Sequence, residues 1–233
     1  MPVPWLNAHD FGFPNIDEAT GINGLVAAGG DLEPGRLLSA YRQGIFPWYE
    51  EGQPILWWSP DPRAVLYPPR VYISTSLTRL IRRKRYTVTM DDCFAAVISR
   101  CAKDRRGSHG TWITSAMRKA YCRLHDDGFA HSVEVWNGDE LVGGLYGIAL
   151  GQCFFGESMF SIESNTSKIA LVFLVKQIHD WGYHLIDCQV SSAHLASLGA
   201  VEIPRQDFVA QVRQLVDKPG RVGKWELELE VVL

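Results

Sequence analysis

Apolar and polar positions alternate along this chain in two distinct periods. Helical spacing recurs in several stretches. Asp31 and Pro34 open a helix with Leu37, Leu38 and Tyr41 on its apolar stripe, and Gly44 stops it. Ser76 caps a short basic helix. Asp91 opens a helix that buries Phe94, Val97, Ile98 and Cys101, and Thr114 opens one with Met117, Tyr121 and Leu124, closed by Gly128. A two-residue period takes over at 131–136, 140–150 and 153–160. The Asn137-Gly138 and Gly151-Gln152 turns lie between these runs, which predicts a three-stranded antiparallel meander. Ser164 or Asn165 then caps a long apolar helix that ends at Gly182. Residues 184–190 are short and apolar enough for a buried strand. Helices over 191–200 and 208–216 follow, then a strand over 225–233 with one wet face. Residues 44–63, GIFPWYEEGQPILWWSPDPR, hold four prolines and exclude a regular helix or a central strand. Their aromatics either plug one part of the chain against another or form a rigid wall for stacking.

Composition sets the class. The 233 residues are 46% apolar and 21% charged, which rules out a disordered chain. No apolar run approaches the ~20 residues of a membrane span, and residues 1–10 lack the pattern of a secretory signal. Cys93, Cys101, Cys122, Cys153 and Cys188 form no Cys-x-x-Cys pair, so reduced thiols and a cytoplasmic location are expected. No Cys/His cluster has zinc-ligand spacing.

The net charge of −3 hides an asymmetry. Residues 62–125 carry 14 basic residues against Asp91, Asp92 and Asp104, a formal +11, and the rest of the chain carries −14. The densest run is Arg79, Arg82, Arg83, Lys84 and Arg85, followed by Lys103, Arg105 and Arg106. Such a run is either a solvated helix face or a phosphate-binding patch. With no base-reading motif present, a nucleic acid would be held by backbone and shape, which suits a folded RNA.

Chemistry concentrates on strand 184–190. Leu185, Asp187 and Gln189 share one face by strand period, and Ile186, Cys188 and Val190 share the other. A carboxylate on an apolar strand needs a partner or a function. The pair either anchors a loop or is catalytic at the strand's C-terminal end. Glu157, near the end of a neighbouring strand, is placed to face the same cleft. Gly143, Gly144 and Gly147 permit a bulge or a close backbone approach. His131 and His194, each alone, read as structural.

Several motifs together resemble one family. NGLVAAGGDL, GIFPWY, ILWWSPDPRAVL, GTWIT, HSVEVW, ELVGGLYG, GESMFS and LIDCQV followed by HLASLGAVEIPR run in order from about residue 23 to 208. They resemble the bacterial leucyl/phenylalanyl-tRNA–protein transferase family. The resemblance implies an α+β fold, with a small N-terminal domain (1–62) packed on a GNAT-like (acyl-CoA N-acyltransferase-like) domain (63–233) whose sheet is mainly antiparallel. The Arg/Gln-x-x-Gly-x-Gly/Ala loop that holds coenzyme A in such acyltransferases is missing, so no CoA is expected, and the lack of zinc-ligand spacing leaves no metal expected either.

The implied reaction moves Leu or Phe, and less readily Met, from its tRNA to the N-terminal amine of proteins beginning with Arg or Lys, marking them for N-end rule degradation. The implied partners are Leu-tRNA, Phe-tRNA and those acceptor proteins, with neither DNA nor a membrane. By resemblance, Gln189 orients the amine and Asp187 orients Gln189. The donor side chain enters a pocket of Leu145, Phe155, Met159, Leu171 and Ile186 with Glu157 at its rim. Trp48 and Trp112, with Tyr41 beside them, flank the terminal adenosine, and the Arg79–Arg85 run holds the tRNA phosphates. Two rivals from other classes are an RNA-binding module without catalysis and a CoA-dependent N-acyltransferase.

Overall fold

A computed structural model describes residues 3–8, 10–16, 22–103 and 112–228. The described residues form two sheets. The smaller has the order β1 (Trp5–Leu6), β2 (Leu25–Gly29), β4 (Leu56–Trp58), β3 (Phe46–Pro47), with α1 (Pro34–Arg42) between β2 and β3 in sequence. β4 is therefore an interior strand, contrary to the expectation for the proline-rich segment. It is only three residues long and fits between Pro54 and Pro60, so no proline has to donate to its ladder.

The larger sheet has seven strands: β5 (Arg63–Leu66), β6 (Thr87–Met90), β7 (Ala130–Asn137), β8 (Glu140–Leu150), β9 (Cys153–Ser161), β10 (Leu185–Gln189) and β11 (Val201–Ile203). Their spatial order is β11-β5-β10-β9-β8-β7-β6. Every neighbouring pair is antiparallel except β9 and β10, which run parallel across α5 (Thr166–Asp180). The remaining helices are α2 (Thr75–Arg82), α3 (Phe94–Lys103), α4 (Ser115–Asp126), α6 (Ala193–Ala196) and α7 (Arg205–Leu215).

Two apolar cores flank the large sheet. One joins the small sheet and α1 to α3, α4, α7 and one sheet face; the other fills the space between the opposite face and α5. The meander, α3, α4 and α5 form where the periodicity places them, because each buries the stripe that the sequence supplies.

Several expectations need correction. Ser74, not Ser76, caps α2, accepting from the Leu77 N–H at 3.3 Å. The helix expected over 191–200 has only four residues. Trp225–Glu228 is not a strand, and residues 229–233 of that expected strand lie outside the described residues, as do Arg105 and Arg106. The tail's backbone finds side-chain partners instead: the Trp225 N–H donates to Asp91 at 2.7 Å, and the Glu228 N–H to Gln177 at 2.8 Å. His131 is structural as expected. Its Nδ1 lies 2.8 Å from Asp91 Oδ2, and its ring stacks on Trp225 at 3.7 Å.

Candidate active site

Two irregularities at the same level open the large sheet. On β9, Gly147 pairs with Gly156 and Tyr146 with Ser158, which leaves Glu157 as an extra residue. A Cβ on Gly147 would sit 2.3 Å from the Phe155 carbonyl oxygen, so only glycine fits there. On β10, Asp187 pairs with Val65 and Gln189 with Ala64, which leaves Cys188 extra, and Gln189 takes a left-handed φ of 61°. The parallel ladder between β9 and β10 ends at Phe155 and Asp187, although β9 continues to Ser161. A cavity of about 400 Å³ occupies this opening.

The cavity draws on both sides of the sheet. On the α5 side lie Leu145, Phe154, Met159, Leu171 and Ile186; on the other lie Phe46, Pro47, Trp48 and Trp112. Glu157, Asp187 and Gln189 line it as well. Phe155, expected in the pocket, is buried on the opposite face against Tyr41, at 5.3 Å between ring centroids. Phe154 takes its place. The bulge at Glu157 reverses the strand's parity, so Phe154 and Met159, five residues apart, share a side.

The expected aromatic wall divides. Trp48, 43% exposed, and Trp112 line the cavity, whereas Trp57 is buried and donates its indole N–H to the Gly29 carbonyl at 2.9 Å. Tyr41 is not part of the wall. It is buried, and its hydroxyl donates to Glu157 Oε1 at 2.7 Å.

Arg63 is the residue that the sequence reading missed. Its Nε and Nη2 donate to the two Asp187 oxygens at 2.8 and 2.6 Å, and its guanidinium lies between the Phe46 and Phe208 rings at 4.9 and 4.5 Å. Both side chains are essentially inaccessible to water. The Gln189 backbone N–H also donates to Asp187 Oδ1, at 2.8 Å. A buried carboxylate on an apolar strand demanded such a partner, and the arginine of the SPDPR motif supplies it.

Glu157 is the other polar centre. It accepts from Tyr41, from Tyr121 at 3.0 Å and from the Gln189 side-chain amide at 2.8 Å, and the two tyrosine hydroxyls lie 2.5 Å apart. Burial pushes its carboxyl up to about 7, with the nearby Asp187 charge adding to the rise and the three donors opposing it. Burial, reinforced by Glu157, holds both tyrosine hydroxyls well above their ordinary value, so they act only as neutral donors at physiological pH. Asp187 is committed to a bidentate ion pair with Arg63, whereas Glu157 meets only neutral donors and its carboxyl is pushed up to about 7, so Glu157 is the carboxylate better placed to exchange a proton.

Arg79, Arg82, Arg83, Lys84 and Arg85 are all exposed at the C-terminal end of α2 and in the turn to β6. They lie outside the cavity lining. Arg85 pairs with Glu163 at 2.8 Å, and Tyr86 and Asn137 donate to the same carboxylate.

Comparison with known proteins bears on the chain as a whole. The family model described as "Leucyl/phenylalanyl-tRNA protein transferase" matches residues 65–213, and that of the family's N-terminal domain matches residues 30–61. A leucyl/phenylalanyl-tRNA–protein transferase of Ectopseudomonas mendocina is 55% identical over 94% of this chain and 97% of its own length. One from Nitrosospira multiformis is 54% identical over 99% of each. Among solved structures, L-PGS from Bacillus licheniformis matches at 12% identity with a TM-score of 0.40, over 72% of this chain and 53% of that one. That likeness is too distant to specify the fold.

Proposed function

Because the chain belongs to the leucyl/phenylalanyl-tRNA–protein transferase family, an aminoacyltransferase family, we propose that it moves Leu or Phe, and less readily Met, onto proteins beginning with N-terminal Arg or Lys. The observation that carries this reading is one cavity with three kinds of lining: an apolar set on the α5 side, an aromatic set on the other, and the Glu157–Gln189 pair. An aminoacyl-adenosine has the same three parts: an apolar side chain, a base and a reacting ester.

In this reading the side chain enters among Leu145, Phe154, Met159, Leu171 and Ile186. Apolar pockets discriminate by only ~1–3 kcal/mol per methylene, so one pocket accepts Leu, Phe and Met. The adenine stacks near Trp48 and Trp112. The acceptor amine is the nucleophile. A free α-amino group titrates near 7.7–8.0, so its neutral form is accessible at pH 7. Gln189 commits its amide N–H to Glu157, which leaves its Oε1 to accept from the amine. As the amine nitrogen bonds to the ester carbon, Glu157 takes the amine's proton. It returns that proton to the 3′ oxygen as the C–O bond breaks. Asp187, locked to Arg63, holds the Gln189 backbone in its left-handed conformation and is a positioning residue.

The reaction needs neither CoA nor metal, and the missing pyrophosphate loop argues against an acyl-CoA donor on a GNAT-like scaffold. The same reading divides the chain at residue 62 and assigns it a cytoplasmic role in N-end rule degradation. No described helix is long and apolar enough to cross a membrane. Incubation with radiolabelled Leu-tRNA and a protein bearing N-terminal Arg, without CoA, tests the reading. Label on the acceptor supports it, and label transferred only with acyl-CoA present overturns it.

Two further results are expected. Arg82→Ala with Arg83→Ala weakens tRNA binding and flattens its salt dependence, since each phosphate contact contributes about 0.9 to the logarithmic slope for a duplex. An unchanged slope in a filter-binding titration returns the run to a solvated face. Met159→Ala lowers kcat/KM for Leu-tRNA more than for Phe-tRNA, because the smaller side chain fills the new void less well. Equal losses would place the donor side chain elsewhere.

A further inference from the structure

A second concavity adjoins the first. A groove of about 690 Å³ is lined by Met159, Ser161, Ile162, Glu163, Ser164, Ser167 and His194, among others. Met159 and His194 line both the groove and the cavity, so the two are continuous. At the other end Glu163 joins the groove to the basic run through its ion pair with Arg85. The order in space is therefore basic run, groove, cavity.

The chemistry of the groove is not that of an apolar peptide cleft. Three serines line it together with Met159, Phe160 and the exposed Ile162. Its single carboxylate is occupied by Arg85, Tyr86 and Asn137. The His194 Nε2 is shielded from water and has no hydrogen-bond partner. Burial, with the nearby Lys168 charge adding to the effect, shifts this imidazole down, so it is neutral at pH 7 and offers one donor and one acceptor.

From this continuity we infer that the groove is the track for the unpaired 3′ nucleotides of the tRNA, carrying them from the basic run to the cavity. The inference rests on the transferase reading and extends it. A duplex held at Arg79–Arg85 must deliver its terminal ester to Glu157 and Gln189, and the connecting strand has phosphates, 2′-hydroxyls and base faces to satisfy. Serine hydroxyls and a neutral imidazole bond to the first two, and Ile162 offers an apolar surface to a base. An acceptor polypeptide is the alternative occupant, but it gains nothing from the link to the basic run.

Ser164 is exposed, lies outside the cavity lining and tests the assignment with little risk to folding. Ser164→Asp places a charge beside the proposed phosphates and is expected to raise KM for Leu-tRNA roughly fivefold or more, and Ser164→Arg to lower it. Both variants should leave transfer from the adenosine ester of phenylalanine unchanged, since that donor has no preceding nucleotides. The inference is overturned if neither variant moves KM for Leu-tRNA. It is equally overturned if KM for the acceptor protein changes alike with both donors, which would assign the groove to the polypeptide. Wild-type transfer from the adenosine ester checks the underlying reading separately: its absence would count against the cavity, not the groove.

Discussion

Replacing Arg63 with alanine is expected to lower the stability of the fold by about 3–5 kcal/mol, the usual cost of leaving one member of a buried ion pair without its partner. The Asp187 carboxylate would remain in a site closed to water, and Phe46 and Phe208 would lose the guanidinium between them. Chemical denaturation of the purified variant reads the loss directly. Asp187→Ala should cost a similar amount, because it strands the guanidinium instead. Asp187→Asn, which keeps the shape and removes the charge, separates roles. It strands the guanidinium as well and loses stability, so its kinetics are read under conditions where denaturation shows it folded; there it should turn over slowly with tRNA affinity retained, since the amide holds the Gln189 N–H less firmly than a carboxylate does. Parallel losses of binding and turnover would make Asp187 a general fold residue rather than a positioning one. A loss below about 1 kcal/mol for Arg63→Ala would mean that the pair is solvated.

Glu157→Gln is the second large effect. The folded chain holds the Glu157 proton at about 7, against an ordinary carboxylate value of 4.5. The folded state therefore binds more protons than the unfolded state between those values, and stability falls as pH rises through that window. The contribution is fully present below about pH 4.5 and is lost above about pH 7, a change of roughly 3 kcal/mol. Urea unfolding at pH 5 and pH 8 should show wild type losing that much relative to Glu157→Gln. A constant difference between the two proteins would place the titration elsewhere. Turnover of the variant should drop roughly 100-fold or more, the typical contribution of a positioned acid–base group, and the limb of the pH–rate profile near 7 should vanish.

Much of this site was legible in the residues. Asp187 and Gln189 stand out as polar groups on an otherwise apolar strand, and Glu157, Leu145, Met159, Leu171, Ile186, Trp48 and Trp112 all line the cavity. The errors of strand face share one physical origin. Strand period assumes an unbroken ladder, and two one-residue bulges break it. The bulge at Glu157 exchanged Phe155 for Phe154 in the pocket. Ile186, on the face opposite Asp187, still reaches the same cavity because the opening between β9 and β10 passes through the sheet. Gly147 was the available signal, since a glycine within an apolar strand marks a bulge or close approach.

Arg63 was missed for a different reason. Its partner lies 124 residues away, and nothing local distinguishes a buried arginine from a solvated one. Only the cost of burying Asp187 alone pointed to it. The short strands β1, β2, β5, β6 and β11 escaped because two to five residues carry too little periodicity to separate from loop. Tyr41 was visible as part of a helical stripe, but its bond to Glu157 depends on how α1 docks against β9.

The central claim is that one cavity holds side chain, ester and base in fixed order. A crystal structure with phenylalanyl-adenosine, its ester oxygen replaced by an amide nitrogen, tests this most directly. The account predicts the phenyl ring among Leu145, Phe154, Met159, Leu171 and Ile186, the adenine beside Trp48 and Trp112, and the carbonyl next to Gln189 and Glu157. An analogue bound with its ring outside that apolar end, or with its carbonyl remote from Gln189 and Glu157, would contradict it.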